Sequence, residues 1–220
     1  MHFDFLIEDI SGKKLLEEVA PKILEEEHTY TVHAYRGIGR LPKNLNRSAD
    51  PSKRILLDQI PRIIRGLGKT YASYAKNYHA TAIVVCDLDH RNKQDFLAEL
   101  MSILDNCNPA PTTIFALAVE EGESWMLGDI NAIKTAYPNA KDQILRAYIN
   151  DSICGTWETL ADAVYPGGAQ ILKTRSYQII GKEKFEWASK IAPHMDISNN
   201  NSPSFNEMLT EIQNALRIQD

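Results

Sequence analysis

The chain has 220 residues, 44% of them hydrophobic and 24% charged, and a formal net charge of −5. This is the balance of a globular protein that buries its own core without disulfide or metal staples. No run of eighteen apolar residues is present to cross a bilayer, and the acid inside the opening MHFDFLIEDI argues against a secretory leader.

The first expected element is a strand, HFDFLIE (2–8), built of β-favouring residues and ending at Glu8. Ser11 stands where it can cap a following helix, whose Leu15, Leu16, Val19, Ile23 and Leu24 recur at helical spacing. YTVHAY (30–35) alternates as a second strand. The turn-rich RGIGRLPKN comes next, then two helical stretches near 52–66 and 69–77. TAIVVCD (81–87) is an almost unbroken apolar run, the pattern of a strand covered on both faces. A helix from about 93 to 106 turns Phe96, Leu97, Leu100, Met101 and Ile103 inward, and TTIFALAV (112–119) is a fourth buried strand. Strands alternating with helices predict a mostly parallel four-stranded α/β sheet with helices on both faces. After Trp125 helical patterns dominate, near 129–136, 140–150, 157–164, 180–192 and 204–217. The expected organisation is an α/β domain over 1–125 and a helical region over 126–220 packed on or beside it.

Cys86, Cys107 and Cys154 are widely spaced, fitting reduced thiols of a cytoplasmic protein better than a disulfide framework or a zinc site. Charge is unevenly placed. Between Arg36 and Lys76 stand ten Lys or Arg residues against Asp50 and Asp58, a local balance of +8 that leaves the remainder at −13. Such a block can face phosphate, or it can be a solvated face balancing acidic neighbours.

Acids close three of the four expected strands: Glu8, then Asp87 and Asp89, then Glu120, Glu121 and Glu123. Ligands of open parallel sheets sit at these strand ends. Carboxylates brought close repel and need a proton or a cation to coexist, and a hard divalent ion such as Mg²⁺ or Mn²⁺ suits oxygen donors. A single strand-end acid is commonly a helix cap, and a lone DxD occurs often by chance. Phosphatases of the haloacid dehalogenase type place that pair after their first strand, whereas here it follows some eighty residues of structured chain. Nucleotide-sugar transferases have no need of the acid at Glu8.

Glu8 on the first strand with DxD on the third resembles the TOPRIM domain of type IA and type II topoisomerases, bacterial primases and nucleases of the OLD family. FLIEDIS, HAYRGIGRLP, VVCDLD, AVEEGESWMLGDINAI and the late NSPSF follow the order found in a bacterial TOPRIM-related family of unknown function. That likeness spans nearly the whole chain. It departs where TOPRIM strands continue Glu-Gly: Asp9 follows Glu8, adding a carboxylate to the site or distorting the turn.

The resemblance implies Mg²⁺-assisted phosphodiester hydrolysis of DNA or RNA, as in a nuclease of bacterial anti-phage defence working beside an ATPase. Asp87 and Asp89 would anchor the ion, Glu8 would complete its shell or act as acid and base, and Glu121 and Glu123 would offer a second metal position. The Gly37–Ile38–Gly39 loop with Arg36, Arg40 and Lys43 would position phosphate. The alternative is a non-catalytic TOPRIM-like subunit that binds a partner protein. His28 and His33 read as structural, His90 as a neighbour of the site, and Trp125 and Trp187 as core; Ser202 is expected to cap the last helix while Phe205 docks.

Overall fold

Alternation along β1 (His2–Ile7) sorts its side chains between two cores: Phe3, Phe5 and Ile7 enter one, Leu6 the other. The computed structural model describes residues 1–45 and 50–217. In it β1 is central in a parallel sheet of order β2-β1-β3-β4, with β2 (Thr29–Ala34), β3 (Ala80–Asp87) and β4 (Thr113–Ala118). Register is continuous, Ile7 facing Ala34 on one side and Val85 on the other. β3 is buried along its length, as its apolar run requires, whereas β2 buries only Val32 and Ala34 and forms an edge.

The α/β architecture with helices on both faces is therefore as expected, and the arrangement is consistent with a TOPRIM-like fold. α2 (Leu56–Ala72) and α3 (Lys93–Asp105) cover one face through Leu56, Leu57, Ile60, Ile64, Phe96, Leu100 and Ile103. α1 (Ile10–Ile23) covers the other. The later helices are α4 (Glu123–Leu127), α5 (Ile130–Ala136), α6 (Asp142–Ala147), α7 (Thr156–Val164), α8 (Gly168–Leu172), α9 (Tyr177–Ile191) and α10 (Pro203–Arg217). They join α1 on its face, and one apolar cluster runs from Phe3 to Ile212 through both halves of the chain. Among the described residues no helix is long and apolar enough to cross a membrane.

Four details differ from the sequence reading. The helix expected to break near Gly66 and Gly68 is continuous as α2, because Gly68 lets it approach the loop at Pro109: a Cβ there would lie 2.1 Å from the Pro109 carbonyl oxygen. Met101 is 49% exposed, since the inward stripe of α3 is Phe96, Leu100 and Ile103. Asp9, not Ser11, caps α1, accepting from the Gly12 amide at 2.7 Å and from the Ser11 hydroxyl at 2.7 Å. The short helices α4 and α8 have too few turns to show a period.

Candidate functional site

The chain leaves β1 towards β2 on one side and returns to place β3 on the other, so the loops after β1 and β3 part and leave a crevice between them. Glu8 is the first residue beyond β1 and Asp87 the last of β3, both at this opening. A cleft of about 430 Å³, solvent at its mouth included, is lined there by Glu8, Asp9, Asp87, Glu123 and Lys184 over a floor of Ile7, Val85 and Trp125.

The Glu8 and Asp87 carboxyls both line this cleft, close enough for each to act on the ionisation of the other. Burial, then the charges of Asp9 and Asp89, pushes Glu8 up to about 7, although its interaction with Asp87 acts the other way. Asp87 is held well above the usual carboxylate range, by burial first and by Glu8 second, with Lys184 opposing. Glu8 Oε2 is buried and has no hydrogen-bond partner. Two acids in this state share a proton or take a cation.

The remaining acids have other commitments. Asp89 takes a left-handed conformation, φ 50°, donates its amide to the Glu120 carbonyl at 2.9 Å and lies 3.5 Å from the Arg91 guanidinium, nearly half exposed. Leu88 between the aspartates turns into the core, as expected. Glu120, also left-handed, sends its carboxylate to the N-terminus of α7, where the Cys154, Gly155 and Thr156 amides and the Thr156 hydroxyl donate to it. Burial acts to raise this group, but those hydrogen bonds outweigh it and hold the acid below its ordinary value.

Glu121 and Glu123 face Lys184 of α9, with the Lys184 Nζ 3.6 Å from the first and 3.1 Å from the second. Burial raises both acids, Glu121 to about 7, while the lysine pulls them down. Lys184 itself is held charged, its two glutamates overcoming a burial cost. Among the described residues no three His, Cys, Asp or Glu side chains converge on one ion position. The five expected metal-binding acids are thus divided: Glu8 and Asp87 together, Asp89 beside Arg91, Glu121 and Glu123 on Lys184.

Lys184 had no signal in the sequence. It sits in GKEKFEW, an ordinary amphipathic pattern, and only the packing of α9 against α1 brings it to the acids. Asp9 resolves into a third role, because its carboxylate is spent on the helix cap and its extended backbone does not distort the turn.

The glycine loop lies against the site through its backbone: the Gly37 amide donates to the Glu8 carbonyl at 2.7 Å. Gly37 and Gly39 both have positive φ, at 102° and 68°. A Cβ on Gly37 would meet nothing, whereas one on Gly39 would strike Ile55 at 2.0 Å. The first glycine therefore faces open space and the second serves packing. Arg36, Arg40 and Lys43 are exposed on this loop. The basic block does not act as one surface. α2 runs back along the sheet, so Lys69, about 20 Å along that helix, and Lys76 beyond its end lie towards the starts of the strands, and Arg47 lies outside the described residues.

Two late sequence patterns turn out to be one clasp. In EGESWMLGD, Trp125 is buried and donates its indole N–H to Ser204 at 3.0 Å, and its carbonyl accepts from Asn200 at 2.8 Å. Asn201 donates to the Gly128 carbonyl at 2.9 Å, and a Cβ on Gly128 would lie 2.2 Å from Asn200 Oδ1. Asp129 caps α5 and also accepts from the Asp196 amide. Ser202 caps α10 through the Phe205 amide and Phe205 is buried, both as expected. This clasp seats the short α4 that carries Glu123.

The family described as Domain of unknown function (DUF4276) matches residues 7–213. Searches of curated proteins and of solved structures returned no significant match.

Proposed function

We propose that this chain, which belongs to the DUF4276 family, is a divalent-metal-dependent nuclease hydrolysing phosphodiester bonds. The observation that carries the reading is the Glu8–Asp87 pair: two carboxyls at the topological switch point, both pushed up, one with a buried oxygen that nothing satisfies. Buried acids left in this state cost stability, and such perturbed groups gather at functional sites. The likeness to TOPRIM enzymes in motif order supports the same conclusion.

The donors fit Mg²⁺ or Mn²⁺. Such an ion takes one or two carboxylates and fills its shell with water and substrate phosphate, so Glu8 and Asp87 suffice to hold it. Bound there, it supplies charge neutralisation and Lewis acidity for a phosphate. The pair gives up its shared proton when it takes the cation. Arg36, Arg40 and Lys43 meet the flanking phosphates from the loop whose Gly37 touches Glu8. A role in bacterial anti-phage defence with an ATPase partner is the biological setting that the resemblance suggests.

The test is cleavage of plasmid, single-stranded DNA and RNA by purified protein with Mg²⁺ or Mn²⁺, alone and with a candidate ATPase. Activity abolished by Asp87→Ala and by Glu8→Ala supports the reading, and activity intact in both sinks it. The division of the acids among Arg91 and Lys184 favours a second reading, a non-catalytic partner-binding subunit. Inertness under every condition of this assay selects that reading.

A further inference from the structure

We propose that Lys184 is the second cation of this site, so that the cleft loads one divalent ion, at Glu8 and Asp87, and none at Glu121 and Glu123. The inference rests on the nuclease reading above and deepens it. Lys184 Nζ stands 3.1 Å from Glu123 Oε2 and 3.6 Å from Glu121 Oε2, and its side chain is only 17% exposed. It cannot swing aside easily, because α9 is anchored through Trp187, Ala188 and Ile191, each 1% exposed or less. The same ammonium also acts on Asp87 and Asp9 across the cleft, placing one fixed positive charge among four acids. Glu123 is 4% exposed, with its carboxylate turned to the lysine rather than to solvent. A divalent ion entering between Glu121 and Glu123 would meet that ammonium at contact range, where repulsion in a partly buried site is strong. The arrangement gives the site a built-in cation that is never lost to chelation or dilution. Glu8 Oε2 and Glu121 Oε2 are both buried without a hydrogen-bond partner, but Glu121 Oε2 has the Lys184 ammonium 3.6 Å away, and among the described residues no ion pair reaches Glu8.

The test counts Mn²⁺ per chain by titration calorimetry and by the electron paramagnetic resonance signal of free Mn²⁺, on the full-length protein. Wild type is expected to bind one ion, Glu121→Gln one with unchanged affinity, and Lys184→Gln two. The second ion of Lys184→Gln is lost again when Glu121→Gln is added. Two ions in wild type, or one in a folded Lys184→Gln chain, overturns the inference and leaves the nuclease reading standing. No ion in any of the chains overturns the metal site and this inference together. Where Lys184→Gln fails to fold, Glu121→Gln decides: one ion retained at wild-type affinity supports the proposal, and a lost or weakened ion overturns it.

Discussion

Asp4 in the middle of β1 pairs with His33 at 3.1 Å, accepts from the Tyr71 hydroxyl at 2.7 Å and lies 3.5 Å from His2, whereas Glu8, four residues on, keeps a buried oxygen with no partner. Burial acts to raise Asp4, yet its bonds to His33 and Tyr71 bring it below its ordinary value; burial and neighbouring acids push Glu8 up to about 7. Glu120, just beyond the edge strand β4, belongs with Asp4, since four donors receive it. A buried acid supplied with donors is part of the scaffold. One left without them at the mouth of the sheet is disfavoured as a charge and is drawn towards a proton or a cation.

The sharpest way to break this contrast is to neutralise each acid in turn. Asp87→Asn and Glu8→Gln should lower metal-dependent cleavage by about a hundredfold or more while leaving the melting temperature unchanged or higher, because each removes an unfavourable buried charge. Glu120→Ala should do the reverse. It strands three amides and a hydroxyl at α7, and the unfolding free energy in urea should fall by about 3 kcal/mol. Asp4→Asn should cost about 1–2 kcal/mol of stability with cleavage rates untouched.

The pH dependence separates the two classes again. Glu8 and Glu121 rise from an ordinary 4.5 to about 7, so between those values the folded chain holds more protons than the unfolded one. Their contribution to stability therefore falls as pH rises through that window. Asp4 and Glu120, held low, contribute above their ordinary values and lose that contribution as pH falls. Melting temperatures of metal-free protein across this range should decline more gently in Glu8→Gln than in wild type, and Mn²⁺ should raise the upper end. The smallest effect belongs to the loop: Arg40→Ala should weaken nucleic-acid binding modestly and reduce the slope of log affinity against log salt by about one.

What the sequence disclosed follows the range of each interaction. β1 to β4 were readable because alternation and unbroken apolar runs are local signals, and Glu8 and Asp87 were readable because strand ends are. Asp89 was grouped with Asp87 on spacing alone, and only the left-handed turn that ties its amide to Glu120 directs it towards Arg91. The acids at 121 and 123 suggested a metal because their counter-charge lies some sixty residues away on a helix of ordinary pattern. The motifs around Trp125 and Ser202 were visible as separate words; their hydrogen bonds to one another were not. A lone Asp after Glu8 looked like an intruder, although an extended aspartate three residues before a helical amide is a cap by local chemistry.

The clasp between Trp125 and the Asn200–Ser204 stretch also fixes the order in which the cleft is assembled. A ribosome releases Glu8 and Asp87 long before it adds the lysine that counters the acids or the residues that seat α4. Until that late segment emerges and folds back, a nascent chain holds its acids in an unassembled cleft. The cleft closes only once this segment has been made, and a chain broken before it carries Glu8 and Asp87 without the lysine and the clasp that complete their surroundings.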